Sequence, residues 1–487
     1  MLFTNTRGSV WQRSIGAYQV AHHCRKNGFT VQVIDFTDFF TEDELLEIID
    51  KLYSSDMLAV GISTTFYSSL SESSNPLLTT NASSNLRSKI DIDGKIESVF
   101  STIKQRYPKV KIIAGGANSW QVIGNELFDA VFHGYSEVSV ANYLTELTTN
   151  KKRLYPKKGT TSIVNGDAEH FDVNQLDHMW TDNDIVLDNE SLPIEIARGC
   201  IFNCKFCSYP LNGKKKFDYI RDPSMIRKEL ISNYERFGTT NYFFADDTFN
   251  DSTNKVKMLH DIFVSLPFKI NFVCYLRVDL LMRFPEQIKL LKDMGLCSVV
   301  FGIESLHQDA ARAIGKGANT NKIKKFLLDL YYKHWSQEVS ITCSMIIGLP
   351  GETEEHARKV FDWFRTEGKD LCDSWWPLTI NTNGHYKSQF EKEYSKYAYV
   401  LNEEGDKWTN PVMTYDRAQE LSEEFNSVGM LRDNHPGSWM IMALRSYGYT
   451  QQELMNMHVR DMPWKTLIKK RIRMFQDYKA KLYLTLE

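Results

Sequence analysis

Strand-like and helix-like hydrophobic patterns alternate along this chain in two separate runs. In the first run the strand-like segments are 30–35, 58–63, 111–114 and 130–132. After residue 192 the alternation starts again, and the strand-like segments are 193–197, 241–245, 270–275, 298–303, 339–347 and 374–380. Strands that alternate with helices favour a parallel sheet covered by helices. The sequence therefore predicts an α/β protein with two such units.

The two runs predict four regions in chain order. Residues 1–150 are predicted to form a doubly wound, Rossmann-like domain, and the polar, weakly periodic residues 151–189 a linker. The six strand–helix repeats predict a partial barrel, (β/α)6 and TIM-like, over 190–385. Residues 386–487 have mainly helical patterns and are predicted to form a helical C-terminal region.

Composition and charge exclude several classes of protein. Of the 487 residues, 42% are hydrophobic and 24% are charged, which is typical of a globular chain and not of a disordered one. The formal net charge of -3 gives no global reason to expect a nucleic-acid partner. We find no secretory signal at the first residues and no apolar run long enough to span a bilayer. We therefore expect a cytoplasmic protein that binds neither membranes nor nucleic acids.

Three of the eight cysteines lie close together, directly after the first strand of the second run. Their spacing is Cys200-x-x-x-Cys204-x-x-Cys207. Such crowding in a long chain is typical of a metal site in a reducing compartment and not of disulfide bonds. Three thiolates can hold three corners of a four-iron cluster, which leaves one iron open to an exogenous ligand. An open position of this kind indicates catalysis.

This spacing, on the first strand loop of a partial barrel, resembles the signature of the radical S-adenosylmethionine (SAM) superfamily. The resemblance extends from about residue 193 to residue 380. It implies that Cys200, Cys204 and Cys207 hold a 4Fe-4S cluster whose open iron binds the amino and carboxylate groups of SAM. Reductive cleavage of SAM then gives a 5′-deoxyadenosyl radical. The resemblance also implies a small-molecule or peptide substrate and an external electron donor such as flavodoxin or ferredoxin.

Three segments of the barrel carry residues that the resemblance assigns to the base and the methionine part of SAM. Phe206 matches the aromatic residue that lies against the adenine, and packing in the core is the alternative. Asp246 and Asp247 stand where relatives place a Gly-Gly-Glu-like segment for the methionine amino group, and a solvated turn is the alternative. Arg277 resembles an arginine that points to the SAM carboxylate, although an ion pair with Asp279 explains it almost as well.

Two later strand ends resemble the ribose and adenine segments of the family. Glu304 and Ser305 close the fourth strand of the second run, where a carboxylate and a hydroxyl can bind vicinal hydroxyl groups. Gly348 and Gly351 lie in the turn after the fifth strand, where glycine lets the backbone approach a base edge. Ser344 replaces an earlier glycine of the family pattern, so the match at this turn is incomplete.

A doubly wound domain before such a barrel resembles the cobalamin-binding subset of the superfamily. Gly115 and Gly116 suit the loop on the corrin side, and Thr64 and Thr65 fall at a second ligand-facing edge. The loop at 5–16 contains no histidine, so it lacks the Asp-x-His-x-x-Gly motif that ligates cobalt in other cobalamin domains. If cobalamin binds, methyl transfer to an unactivated carbon or phosphorus is the leading reaction, because methylcobalamin is a group carrier.

Three interpretations remain open from the sequence. The first is a cobalamin-dependent radical SAM methyltransferase. The second is cobalamin-independent radical oxidation or rearrangement, with the N-terminal domain as a recognition platform. The third is a binding module with a structural metal, for which His260 or Cys274 supplies a fourth ligand. Substrate-contacting residues are expected at the barrel mouth and in the C-terminal helices, including Tyr209, Trp375, Trp376, Asn381 and His385.

Overall fold

A computed structural model describes residues 1–4, 12–65, 94–149, 153–166, 171–175, 180–207, 219–380, 382, 387–429 and 435–487. The chain forms two compact units. The first unit comprises Met1–Glu190, Ser232–Gly238 and Trp464–Glu487. The second comprises Ser191–Ile231 and Thr239–Pro463. Within these described ranges, none of the helices combines the length and the apolar character that crossing a bilayer requires.

The first unit is built on a seven-stranded sheet. Its strands are β1 (Leu2–Phe3), β2 (Val33–Ile34), β3 (Ala59–Ser63), β4 (Lys111–Gly115), β5 (Ala130–His133), β6 (Lys157–Lys158) and β7 (Thr161–Asn165). Its helices are α1 (Ile15–Lys26), α2 (Glu42–Leu52), α3 (Gly94–Arg106) and α4 (Glu137–Thr148). The strand order is β2-β1-β3-β4-β5-β7-β6, parallel except for the pairing of β6 with β7. This order confirms the predicted doubly wound fold and places a switch point between β1 and β3.

Local sequence signals account for the helices of the first unit, as α2 illustrates. Thr41 caps its start, since the Thr41 hydroxyl accepts a hydrogen bond from Glu44 N while Thr41 N donates to the Glu44 carboxylate. Leu45, Ile48 and Ile49 then recur at helical spacing and are fully buried. The cap therefore sets where α2 begins, and burial of its apolar face holds the helix in the core of the first unit.

The second unit is built on a six-stranded parallel sheet with the strands in chain order. Its strands are β8 (Leu192–Glu195), β9 (Asn241–Ala245), β10 (Asn271–Leu276), β11 (Leu296–Glu304), β12 (Ser340–Ile347) and β13 (Cys372–Pro377). The helices between them are α5 (Pro223–Phe237), α6 (Thr253–Val264), α7 (Val278–Arg283), α8 (Glu286–Asp293), α9 (Gln308–Ala313), α10 (Thr320–Asp329) and α11 (Glu354–Arg365). The predicted partial barrel is therefore confirmed, and its loops at the carboxyl ends of the strands share one edge.

Aromatic packing between α6 and the neighbouring strands holds the loop after β9 in place. The ring of Phe244 on β9 stacks on that of Phe272 on β10 with centroids 4.6 Å apart. Phe263 of α6 and Phe249 of the loop pack on Phe244 at 5.2 Å and 5.8 Å. All four rings are buried. The loop that contains Asp246 therefore rests on a rigid base.

The C-terminal part of the chain is mainly helical, as predicted. It contains α12 (Gln389–Glu393), β14 (Val400–Leu401), β15 (Trp408–Thr409), α13 (Tyr415–Gly429), α14 (Ser438–Ser446), α15 (Gln451–Met455) and α16 (Trp464–Thr485). Helix α16 packs within the first unit, where Asp35 N donates to the Tyr478 hydroxyl at 2.8 Å and Phe475 contacts the Phe40 ring. The domain boundaries predicted at 150, 189 and 385 stay predictions.

Candidate active site

The loop after β8 carries the three clustered cysteines. Cys200 is buried, whereas Cys204 and Cys207 are half-buried. Backbone hydrogen bonds hold the loop on two sides: Lys205 N donates to Ile314 O at 3.3 Å, and Lys205 O accepts from Phe390 N at 3.0 Å. The Cys207 amide also donates to Cys204 O at 3.1 Å, which closes a turn between two of the cysteines. The loop is therefore held in shape before any ligand binds.

The sulfur atoms of this loop lie next to hydrogen-bond donors. Phe202 N donates to Cys200 Sγ at 3.4 Å, and the Thr248 hydroxyl lies 3.3 Å from the same sulfur. Arg277 Nη1 donates to Cys204 Sγ at 3.5 Å. Burial nevertheless raises the pKa of the Cys200 thiol above its ordinary value. Donors directed at sulfur stabilise thiolates that ligate iron, so this donor set fits a cluster bound by the three cysteines.

The residues named as alternative zinc ligands lie on neighbouring elements. His260 is on α6, where its Nδ1 lies 3.3 Å from the Asp261 carboxylate. Cys274 is fully buried within β10, and burial raises its pKa well above the ordinary value. Across the described part of the chain, no group of three or more His, Cys, Asp and Glu side chains, the three cysteines of the loop included, is already arranged to hold a metal ion. The cluster assignment therefore rests on the cysteine spacing and on the donors directed at the sulfur atoms.

The two adjacent aspartates at the end of β9 have different surroundings. Asp246 forms an ion pair of 2.8 Å with Lys255, and Lys255 also pairs with Asp251 at 3.4 Å. The Lys255 side chain is fully buried, so this lysine, which the sequence analysis missed, neutralises Asp246 inside the unit. Burial and the neighbouring charge of Asp246 raise the pKa of Asp247 to about 7. A backbone hydrogen bond from Gly199 places Asp247 beside the cysteine loop.

Arg277 makes the ion pair expected from the sequence and also contacts the cysteine loop. Its Nη2 donates to Asp279 at 2.7 Å, and its guanidinium lies 4.0 Å from the centroid of the Phe202 ring. Burial favours a lower pKa for Arg277, but the hydrogen bonds and charge of Asp279 outweigh it and raise that pKa. Arg277 thereby joins the end of β10 to Cys204 through the 3.5 Å contact with its sulfur.

Glu304 and Phe206 are connected by Lys316, which the sequence analysis did not identify. Lys316 Nζ lies 3.1 Å from Glu304 Oε1 and 5.7 Å from the centroid of the Phe206 ring. Lys316 follows α9 between two glycines, Gly315 and Gly317. The Gly-Lys-Gly pattern by itself predicts only a turn. The contact between Lys316 and Glu304 could not be predicted from it, since that contact depends on α9 returning the chain to the end of β11.

Ser305 and Gly348 are connected by Glu352. The Ser305 hydroxyl donates to Glu352 Oε1 at 2.9 Å, and Gly348 N donates to Glu352 Oε2 at 3.2 Å. Gly348 has a φ of 90°, and an added Cβ would overlap the ring of Trp408. Its carbonyl accepts from the Tyr399 hydroxyl at 2.7 Å. The need for glycine at this position is therefore explained by Trp408 packing.

Gly351 occupies a more open position in the same turn. Its φ is 75°, and an added Cβ would meet no atom within 4 Å. The two glycines of the predicted adenine turn therefore differ, since only Gly351 leaves space beside its backbone.

Thr64, Thr65, Gly115 and Gly116 lie together in the first unit. Thr64 N donates to Gly115 O at 2.8 Å, and Ala117 N donates to the Thr65 hydroxyl at 3.3 Å. Gly116 has a φ of 95°, and an added Cβ would lie 2.7 Å from Thr65 Oγ1. The structure thus brings the two predicted ligand-facing segments into contact at the carboxyl ends of β3 and β4.

The residues expected at the barrel mouth have different positions. Trp375 is buried in the core, where it donates to the Asp373 carboxylate and its ring lies 5.0 Å from that of Phe425. The prediction that Trp375 contacts substrate is therefore wrong, because helices α11 and α13 cover it. Trp376 is half-buried. Tyr209, Asn381 and His385 lie outside the described residues.

The barrel matches a known protein family. Residues 194–364 match the model of the Radical SAM superfamily. The chain is 29% identical over 143 residues to bacteriochlorophyllide d C-8(2)-methyltransferase of Chlorobaculum tepidum, which is 28% of this chain and 31% of that protein. The chain spans about a third of the length of each of three curated relatives that it matches. The barrel segment therefore matches the superfamily that the cysteine motif indicated.

Two solved structures share the fold over nearly the whole chain. One is the radical SAM methyltransferase TsrM from Kitasatospora setae, with tryptophan and a SAM analogue bound; its TM-score is 0.64 at 14% identity, over 97% of this chain and 99% of that one. The other is the cobalamin-dependent radical enzyme OxsB, with aqua-cobalamin and SAM bound; its TM-score is 0.59 at 12% identity, over 100% of this chain and 78% of that one. The predicted doubly wound unit and partial barrel are therefore the fold of these two solved structures.

Proposed function

We propose that this protein is a radical SAM enzyme that transfers methyl groups with the help of cobalamin. The observation that carries the proposal is the loop after β8, where Cys200, Cys204 and Cys207 lie on a backbone held by Ile314 and Phe390. In this proposal the three thiolates hold a 4Fe-4S cluster. When bound, the cluster supplies the electron that cleaves SAM into methionine and a 5′-deoxyadenosyl radical.

The side chains around this loop have separate tasks in the proposal. Asp247 accepts the methionine ammonium, because the other carboxylate, Asp246, is already neutralised by Lys255. Arg277 donates to Cys204 and to the SAM carboxylate. Phe202 packs under the guanidinium and keeps it in place.

The adenosine part of SAM is assigned to the later strand ends. Glu304 and Ser305 bind the ribose hydroxyls, and Phe206 lies against the adenine. Gly351 offers backbone to the base edge, since no atom lies within 4 Å of the position of its missing Cβ. Gly348 fixes the shape of this turn, because Trp408 packs against it and its carbonyl accepts from the Tyr399 hydroxyl. These residues exclude water and orient the cofactor toward the substrate.

Cobalamin is assigned to the first unit, at the carboxyl ends of β3 and β4. Open α/β sheets bind ligands at this edge, beside the switch point that β1 and β3 form. Thr64, Thr65 and Gly116 supply hydroxyl groups and backbone there, and a side chain at Gly116 would disrupt their packing. The methyltransferases among the relatives support methyl transfer. We propose a small molecule or peptide as substrate and a flavodoxin or ferredoxin as electron donor.

Anaerobic reconstitution of the full chain with iron and sulfide tests this function. The reduced protein should form 5′-deoxyadenosine from SAM, and added hydroxocobalamin should remain bound through gel filtration. Thr65→Tyr should release cobalamin because it fills the proposed edge, whereas Thr148→Tyr on the exposed face of α4 should retain it. If 5′-deoxyadenosine forms but cobalamin is not retained, the enzyme carries out a cobalamin-independent reaction and not the proposed methyl transfer. If neither is observed, the proposal is refuted.

A further inference from the structure

Lys316 makes three contacts at the carboxyl edge of the barrel. Its ammonium forms an ion pair of 3.1 Å with Glu304 Oε1 and also donates to the carbonyl of Gly302. It lies 5.7 Å from the centroid of the Phe206 ring, within the range of a cation–π interaction. Only 14% of the Lys316 side chain and 10% of the Glu304 side chain are exposed, so solvent screens this pair weakly.

The strand end that Lys316 contacts has an irregular backbone. The pairing of β11 with β12 shifts register between Gly302 and Glu304. Glu304 has a φ of 66°, which is rare for a residue with a side chain. Conformations of this kind persist only where surrounding contacts stabilise them, and they concentrate at functional sites. Lys316 contacts the residues on both sides of this register shift, because its ammonium donates to Gly302 O and pairs with Glu304.

Gly302 is also shaped by this pair. A Cβ at Gly302 would lie 2.6 Å from Glu304 Oε1 and 3.1 Å from Lys316 Nζ. The carboxylate and the ammonium therefore occupy the space that a side chain at this position would take. The chain keeps a glycine near the carboxyl end of β11, a strand position where other residues are more favourable.

We propose that Lys316 is a positioning residue that sets the adenosine half of the SAM site. It holds Glu304 in its left-handed conformation by binding Oε1, which leaves Oε2 to accept from a ribose hydroxyl. The same ammonium lies over the Phe206 ring and holds that ring in place for the adenine. This inference rests on the proposed function, because it assigns Glu304 and Phe206 to SAM.

Substitution of Lys316 tests the inference in the reconstituted enzyme. Lys316→Met should raise the KM for SAM about tenfold, as expected for loss of a hydrogen bond to a charged group, while the iron and sulfide content stays at the wild-type value. Lys316→Arg should restore most of the affinity, since it keeps the charge and the donors. Lys325→Met, which removes an exposed ion pair with Asp329, is the matched control and should bind SAM as the wild type does.

Fragments of SAM separate positioning of the adenosine half from direct contact with the methionine half. Lys316→Met should weaken binding of 5′-deoxyadenosine about tenfold and leave binding of L-methionine unchanged. Gly302→Ala, which keeps the lysine but displaces the ion pair, should weaken 5′-deoxyadenosine in the same way. Unchanged 5′-deoxyadenosine affinity in Lys316→Met, or weaker binding of L-methionine instead, would overturn the inference. A wild-type protein that does not cleave SAM would instead overturn the proposed function.

Discussion

Ser305 and Glu352 join the ends of two neighbouring strands, since the Ser305 hydroxyl donates to Glu352 Oε1 at 2.9 Å. Ser305 follows β11 and Glu352 follows β12. The Glu352 carboxyl is buried, and burial raises its pKa from 4.5 to about 7 despite hydrogen bonds from Ser305 and two backbone amides. The proposed ribose and adenine segments are therefore coupled through one buried acid.

The buried Glu352 predicts a pH dependence of stability. In the unfolded chain this carboxyl loses its proton near pH 4.5, whereas in the folded protein it keeps the proton until about pH 7. The folded state binds more protons in this interval, so the free energy of unfolding falls as pH rises from 4.5 to 7. Glu352→Gln removes this contribution, and its stability relative to the wild type should rise across the interval by on the order of 2 kcal/mol.

Denaturant unfolding of both proteins between pH 4 and about pH 9 measures this difference, because that range includes both pKa values of Glu352. Above pH 8 the difference should be constant, because Glu352 is then ionised in both states. A difference that does not change with pH would show that Glu352 is not held protonated in the folded protein.

The hydroxyl of Thr248 predicts an effect on the reduction potential. It lies 3.3 Å from Cys200 Sγ and 2.7 Å from the Asp247 carbonyl. The hydroxyl has one hydrogen, which the Asp247 carbonyl accepts in this structure. When Cys200 is a thiolate ligand its sulfur can only accept, so we expect this hydrogen to turn to the sulfur, and hydrogen bonds to cluster sulfur stabilise the reduced state. Thr248→Val removes this donor and should therefore lower the midpoint potential of the cluster, by on the order of tens of millivolts.

A redox titration followed by electron paramagnetic resonance measures that potential. Thr466→Val, at an exposed position of α16, provides the control and should keep the wild-type value. An unchanged potential in Thr248→Val would mean that the hydroxyl does not bond the ligating sulfur.

The two glycines of the turn after β12 predict unequal costs of substitution. Gly348→Ala combines a φ of 90° with overlap between the new Cβ and Trp408, so we expect a loss of about 3 kcal/mol in the free energy of unfolding. Gly351→Ala has a φ of 75° but free space, so we expect about 1 kcal/mol. Urea unfolding distinguishes the two, and equal losses would contradict the assigned role of Trp408.

The alternation of hydrophobic patterns was sufficient to predict all six strands of the second sheet and four of the seven strands of the first, but it missed β1, β6 and β7. The strand predicted at 241–245 is β9 (Asn241–Ala245), and that predicted at 130–132 lies within β5 (Ala130–His133). Strand and helix periods are local properties that burial on one face imposes directly, so they can be read from one sequence. The cysteine motif is equally local, because its three residues lie on one loop.

Contacts between distant segments could not be predicted in this way. The bond from Asp35 N to the Tyr478 hydroxyl joins residues 443 positions apart, and no local pattern places α16 in the first unit. Lys316 reaches Glu304 only because α9 turns the chain back. Trp375 and Trp376 were both expected at the barrel mouth, but adjacent strand residues point to opposite faces of a sheet. The sequence did not show which of the two tryptophans is covered by helices.

The buried ion pairs of Lys255 predict a large effect of its removal. Lys255→Met would remove the ammonium that lies 2.8 Å from Asp246 and 3.4 Å from Asp251, and it would leave both buried carboxylates without this partner. An uncompensated buried charge typically costs about 3–5 kcal/mol. The exposed neighbour on the same helix gives the control, since Lys257→Met should change the free energy of unfolding by less than about 0.5 kcal/mol. Equal stability of the two variants in urea would contradict the assigned role of Lys255.

Metal and sulfide analysis of protein purified under anaerobic conditions tests the central claim most directly. We expect about four irons and four sulfides per chain in the wild type and in Cys24→Ala, and loss of SAM cleavage in Cys204→Ala. Zinc without iron or sulfide in the wild type, or retained SAM cleavage in Cys204→Ala, would contradict it.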